Sequence, residues 1–336
     1  MTVREQAVTL RQVASLAGVS RQTVSNVLNA PERVDPDTLS KVRAAIETLG
    51  YQPSRTARSL ATRKAGLVGY CLARQPGHSL FMDPFLHAMT EAIEASGRHL
   101  LVFTAAPGVD GLRTYADLVA QRAVDAFILS DTVDDDPRHP WLTDRRVPFA
   151  SFGRTWPEQG DEPGPWVDVD GAGACAELVS KLAAAGHERI AFVGWPDPVG
   201  AGRDRERGWR GECQRLGLSN EDCVALPAPA GSMAGAALAA GELLDGRRPP
   251  TAILAASDLL AVGVLSEVHR RGVDTWVTGF DDSVLASTVE GGLTTVRQPT
   301  DQIATTLVGL IDEARADRGV LLAGEIVVRG SARLGG

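Results

Sequence analysis

Arg21, Gln22, Ser25, Asn26 and Asn29 crowd into the end of "VASLAGVSRQTVSNVLN", residues 13–29. An arginine can pair two donors with guanine, and an Asn or Gln amide can pair with adenine. These side-chain types therefore read base edges in a major groove. At about 100° per residue, Val24, Val27 and Leu28 gather on one side of a helix. Gln22, Asn26 and Asn29 lie opposite, Ser25 is close by, and Arg21 and Thr23 flank the polar face. The expected division of labour follows. Arg21, Gln22 and Asn26 face the bases, while Ser20, Thr23, Ser25 and Asn29 suit phosphate contacts, which position a protein without reading sequence.

Such a helix needs a support that holds its polar face outward. Thr9 precedes "LRQVASLAG", where Leu10, Val13, Leu16 and Ala17 recur at helical spacing; Thr9 reads as the N-cap and Gly18 as the turn that ends the helix. Ser20 caps the next helix. A third amphipathic stretch, "DPDTLSKVRAAIETLG", has Leu39, Val42, Ala45, Ile46 and Leu49 on its apolar side. Two short helices joined by a Gly turn, with a third across them, make a helix-turn-helix. Charge agrees. Residues 1–64 hold ten Lys/Arg and five Asp/Glu, a net +5 that leaves −13 for the rest of a chain with total charge −8. A basic head on an acidic body confines polyanion binding to one end.

"VTLRQVASLAGVSRQTVSNVLN" and then "VDPDTLSKVRAAIETLGYQPSRTARSLAT" resemble the DNA-binding head and hinge of the lactose/purine repressor (LacI) family almost position by position. The basic segment "YQPSRTARSLAT" begins with Pro53 in the place that suits a first helical turn. So short a helix is marginal alone and forms when something supports it. The resemblance implies that the hinge helices of two subunits pair in the minor groove. Leu60 is then the inserted wedge, with Ala57 beside it, at an unstacking cost that the extra contacts repay. Ser54 stands where the family commonly has Asn, a departure at one position of the minor-groove contact.

From residue 65 the chain alternates apolar runs ("GLVGYCLA", "HLLVFTA", "DAFILS", "VPFASFG", "RIAFVGW", "TAILAAS", "TWVTGF") with helical segments near 83–96, 110–122, 171–185 and 231–245. This pattern indicates parallel sheets covered on both faces and fits two doubly wound subdomains. The expected organisation is a helix-turn-helix domain over 1–52, a hinge over 53–64 and an α/β core over 65–336. Within that core an N-lobe would take about 65–168 plus 299–324, and a C-lobe about 171–296 plus 328–334. The resemblance implies the periplasmic-binding-protein fold, with lobe crossings near 168–171, 296–299 and 324–328.

Such folds bind small molecules at the C-terminal ends of their strands. By resemblance, the effector is held there by Arg205 in "GAGRDRERGW", Ser257 and Asp258 in "AASDLLAVG", Asp281 in "TGFDDS" and Gln298 in "LTTVRQP". An Arg and an Asp facing one cleft hold vicinal hydroxyls with charge-assisted hydrogen bonds, which favours a sugar or other polyol. Asp258, directly before "LLAVGVL", equally reads as a helix cap. On the N-lobe side the candidates are Arg74, His78, Phe81 and Phe85, with Phe85 also readable as core, and Arg154 in "SFGRT". The tryptophan that some relatives stack on a sugar falls near Ala230 here, leaving Trp195 or Trp276 to supply that surface.

Other function classes find little footing. No apolar run reaches the ~18 residues of a membrane span, and "MTVREQAVTL" lacks the core of an export signal. The four cysteines form neither C-x-x-C nor a zinc pattern. A cytoplasmic protein without metal or cofactor is expected. "GAGACA", residues 171–176, matches G-x-G-x-x-A, yet no acidic residue ends a strand about 20 residues later. G-x-S-x-G, H-E-x-x-H and a Walker loop are absent, so no enzyme is expected. "EIVVRGSARLGG" carries no leucine heptads, which predicts a homodimer without a C-terminal tetramer bundle. The reading is a repressor of carbohydrate uptake or breakdown, released from a pseudo-palindromic DNA operator by a sugar. Its alternatives are the same protein with a nucleobase-like or phosphorylated corepressor, or a solute-binding protein without a regulatory role.

Overall fold

The computed structural model describes residues 8–51, 64–72, 79–156, 164–196, 200–313 and 318–334. The chain divides into two compact units, Met1–Ala65 and Gly66–Gly336.

In the first unit, α1 (Leu10–Ala17), α2 (Arg21–Asn29) and α3 (Pro36–Leu49) pack around Val13, Ala14, Val24, Val27, Val42, Ala45 and Tyr51. Sequence signals set each boundary. Gln12 Oε1 accepts from the N–H and the hydroxyl of Thr9, at 2.8 and 2.9 Å. Gly18 ends α1 in the left-handed conformation, where a missing Cβ removes the steric cost. Ser20 caps α2 by accepting from Thr23 N–H at 3.0 Å, and Asp35 caps α3 by accepting from Thr38 N–H at 3.1 Å.

The second unit contains two parallel sheets. One is ordered β11-β5-β4-β3-β1-β2, from β1 (Leu67–Cys71), β2 (His99–Phe103), β3 (Ala126–Leu129), β4 (Phe149–Phe152), β5 (Trp166–Val169) and β11 (Gly319–Leu322). The other is ordered β7-β6-β8-β9, from β6 (Ile190–Gly194), β7 (Ala225–Pro227), β8 (Ala252–Ala255) and β9 (Trp276–Thr278). Every residue of β3, β6 and β8 is buried. Burial on both faces explains why these strands read as unbroken apolar runs rather than alternating ones.

Helices α4 (Ser79–Ala95), α5 (Leu112–Ala120), α6 (Arg138–Asp144) and α12 (Thr300–Glu313) belong to the first sheet's lobe. The other lobe has α7 (Gly171–Ala184), α8 (Ala201–Arg215), α9 (Met233–Asp245), α10 (Asp258–Arg271) and the short α11 (Val284–Thr288). The chain passes between lobes from β5 into α7, from β10 (Thr295–Arg297) into α12, and from β11 into β12 (Glu325–Val327), which pairs antiparallel with β10.

The small residues of "GAGACA" serve close packing. A Cβ at Gly208 of α8 would collide with the backbone of Ala172 in α7. The start of α7 is occupied as well: Asp170 accepts from Gly173 N–H at 2.8 Å, and Asp204 accepts from Ala172 N–H at 3.1 Å. Amides already bound to carboxylates are not offered to a pyrophosphate.

Candidate functional site

In the helical unit, Arg21, Gln22 and Asn26 are exposed on α2 while Val24 and Val27 are buried beneath it. The separation of faces seen in the sequence is realised. Gln22 Nε2 donates to Asn26 Oδ1 at 3.0 Å, so the two amides are held as a pair one turn apart. The Ser20 hydroxyl lies 2.9 Å from that of Thr23, both at the start of α2, and Ser25 is half-buried. The side chain of Asn29 and all of Ser54, Ala57 and Leu60 lie outside the described residues, as do Arg74 and His78.

In the α/β unit, the predicted residues converge where β6, β8 and β9 end. Arg205 sits in the first turns of α8 and is 7% exposed. Its Nη1 donates to the Ala256 carbonyl at 2.5 Å, and its Nη2 is 3.6 Å from Asp281 Oδ1. The guanidinium lies 3.6 Å from the ring centre of Phe280 and 5.6 Å from that of Trp195, near enough for attraction to the ring faces. Nε of Arg205 is buried with no hydrogen-bond partner among the described residues. Gln298, at the crossing after β10, donates from Nε2 to Asp281 Oδ1 at 2.7 Å. Arg205, Asp281 and Gln298 thus form one network of donors and acceptors beside aromatic walls, a composition suited to a polyhydroxylated ring.

Ser257 and Asp258 differ from expectation. Ser257, not Asp258, is the N-cap of α10 and accepts from Leu260 N–H. Asp258 is 1% exposed, with both oxygens engaged: Oδ1 accepts from the Thr295 hydroxyl at 2.5 Å and Oδ2 from Ser283 N–H at 2.6 Å. Burial, reinforced by the charge of Asp281, raises its pKa to about 7. Asp258 therefore ties α10 to the loop that carries Asp281, with each of its oxygens holding a protein donor.

On the other lobe, Phe81 is half-buried and stacks on Phe85 with centroids 5.9 Å apart, and both rings meet Phe152 at the end of β4. Phe85 is wholly buried and is core. Arg154 follows β4 but is already bound to carboxylates: Nε donates to Asp168 at 2.8 Å and Nη2 to Asp204 at 3.2 Å. Trp276 begins β9, at the sheet end away from the cleft, with its ring 4.5 Å from that of His187. It therefore cannot supply the stacking surface, whereas Trp195, just after β6, stands beside Arg205. Phe280 and Trp156 went unremarked in the sequence; the rule that ligands meet strand ends would have marked both. Among the described residues there is no His/Cys/Asp/Glu group able to hold a metal, and no helix is long and apolar enough to cross a membrane.

Residues 9–54 match the family model "Bacterial regulatory proteins, lacI family", and residues 179–332 match "Periplasmic binding protein-like domain". The HTH-type transcriptional regulator CelR of Thermobifida fusca is 32% identical over 318 residues, covering 92% of each chain. The chain belongs to the LacI family. Two solved LacI-family structures share its fold. A CelR–cellobiose complex superposes with a TM-score of 0.70 at 27% identity, over 97% of this chain and 100% of the other. A Lac repressor dimer bound to operator and an anti-inducer gives 0.79 at 25% identity, over 96% and 98%. As a LacI-family member, the protein is a DNA-binding transcriptional regulator and not an enzyme.

Proposed function

We propose that this regulator is a homodimeric repressor of carbohydrate uptake or breakdown genes, and that it leaves a pseudo-palindromic operator when a sugar enters the cleft beside Arg205. The observation carrying this reading is the buried Arg205 guanidinium, flanked by Phe280 and Trp195 and joined to Asp281 and, through it, Gln298. A free buried Nε–H next to a carboxylate suits neighbouring hydroxyl groups of a mono- or oligosaccharide. That CelR has been solved with cellobiose supports the same class. Phe81 adds an aromatic surface from the N-lobe. On the DNA side, Arg21, Gln22 and Asn26 read bases and Ser20, Thr23, Ser25 and Asn29 hold phosphates. Ser54, Ala57 and the wedge Leu60 form the minor-groove contact.

The coupling is linkage. A sugar that binds one lobe arrangement more tightly than the arrangement competent for DNA lowers operator affinity by that difference and no more. The test is a thermal-shift screen of mono- and disaccharides, cellobiose first, against phosphosugars and nucleobases, followed by gel shifts on the operator. A ligand at 100 times its Kd adds roughly 2.7 kcal/mol of stability. A sugar that shifts melting, fails on Arg205→Ala and releases operator is the expected result. A nucleobase that tightens operator binding would replace it with the corepressor reading.

A further inference from the structure

The first turn of α8 puts three consecutive charged residues to different uses. Arg203 pairs with Asp134 of the loop after β3, its Nη2 lying 2.6 Å from both carboxylate oxygens. Asp204 accepts from Arg154, which follows β4, and from the amide of Ala172 at the start of α7. Arg207 donates to the other oxygen of Asp204. Arg205 turns the opposite way, to Ala256, Phe280 and Asp281. One helical turn therefore grips the N-lobe through Arg203 and Asp204 and presents the cleft arginine through the next residue, Arg205.

The seam is closely built. Gly200, which precedes α8 with φ +51°, comes so near Trp156 that an added Cβ would lie 3.0 Å from the indole Nε1. Trp156 covers the Arg154 guanidinium at 3.7 Å. The Thr132 hydroxyl donates to the Arg154 carbonyl at 2.7 Å, joining the two N-lobe segments. Arg138 fixes the loop from within, donating to the Ser130 carbonyl at 2.9 Å and to Asp136. Asp204 and Asp168 are buried and Arg154 is nearly so. Removing one partner would leave a desolvated charge, which costs more than losing a surface ion pair.

We propose that Arg154 and Asp204 are positioning residues: they lock the first turn of α8 onto the N-lobe and thereby set where Arg205 meets the effector, with Arg203–Asp134 closing the seam on its solvent side. This rests on the reading that Arg205 receives the effector. It gives Arg154 a role at the seam instead of against the ligand. Lobe movement then pivots about this seam, and effector binding does not have to form it.

The experiment uses the full chain. Hydrogen–deuterium exchange of ligand-free protein should show the amides of 201–207 and 130–136 exchanging about tenfold faster in Arg154→Gln than in wild type, the scale expected for a lost charged hydrogen bond. Other helices of the core should be unchanged. Asp134→Arg should loosen the same segments, and adding Arg203→Asp should restore them. In parallel, cellobiose titration by calorimetry should give about tenfold weaker binding in Arg154→Gln, against complete loss in Arg205→Ala. Unchanged exchange in Arg154→Gln, or a charge swap that restores nothing, would overturn the seam. If Arg154→Gln fails to fold, the Asp134/Arg203 series decides alone. Loosened exchange with no sugar bound by wild type would keep the seam and sink the effector reading; cellobiose binding that ignores Arg154→Gln would sink the positioning role.

Discussion

Asp258 should make the effector core lose stability as pH rises towards neutrality. Its native pKa is about 7 against an ordinary 3.8. Below pH 4 the carboxyl is protonated in both folded and unfolded chains and contributes nothing. Between the two values the native state keeps a proton that the unfolded state has released, so stability falls as pH increases. Above pH 7 both states are ionised and the full burial cost, about 4 kcal/mol at 1.36 kcal/mol per pKa unit, remains. Asp258→Asn keeps the shape and an acceptor for Ser283 N–H but cannot ionise. All six tryptophans lie between residues 141 and 276, so urea unfolding followed by tryptophan fluorescence reports this core and not the helical head. The stability difference, variant minus wild type, should grow by about 2.5 kcal/mol between pH 5 and pH 7. Parallel curves for the two proteins across that range would refute the assignment, whatever their constant offset.

Three further outcomes are expected. Gly208→Ala forces a methyl into the backbone of Ala172 and should destabilise the core by about 1–3 kcal/mol in the same urea assay. Val42→Ala, in the wholly buried centre of the small helical core, should cost about 2 kcal/mol; gel shifts should show weakened operator binding while sugar-induced melting shifts persist. Substitution of Gln22 or Asn26 should change base preference at one half-site position by about 1–3 kcal/mol with an unaltered salt slope, measured by binding to a set of single-base operator variants.

The head was legible because its signals are local. Thr9, Ser20 and Gly18 cap or end helices within a few residues of themselves, and the apolar positions of α2 fall on one face. The parallel sheets were legible from unbroken apolar runs. β7 and β10–β12 were less so, because three or four residues outside a longer apolar run carry too few apolar positions to show a pattern. At the cleft, the family resemblance pointed to Arg205, Asp281 and Gln298, which the fold brings together. The same signals could not separate Ser257 from Asp258, since either suits a helix start and only the backbone fixes which oxygen meets which amide. "RDRER" looks like an exposed charged helix face. That Asp204 is buried depends on Arg154, fifty positions earlier, and on the start of α7, which no local pattern records.

Because β11 lies against β5, the six-stranded sheet cannot be completed until nearly the whole chain has been made. About 150 residues, including all of the second sheet, separate these neighbouring strands. At 5–20 residues per second, roughly 8–30 s of synthesis pass with the β5 edge open to any extended segment nearby. The three-helix head, built from local contacts alone, needs none of that wait. During translation a chain of this order is thus able to fold its DNA-reading helix well before the lobe meant to control it exists. A chain cut short before residue 319 would carry a head without a completed regulator.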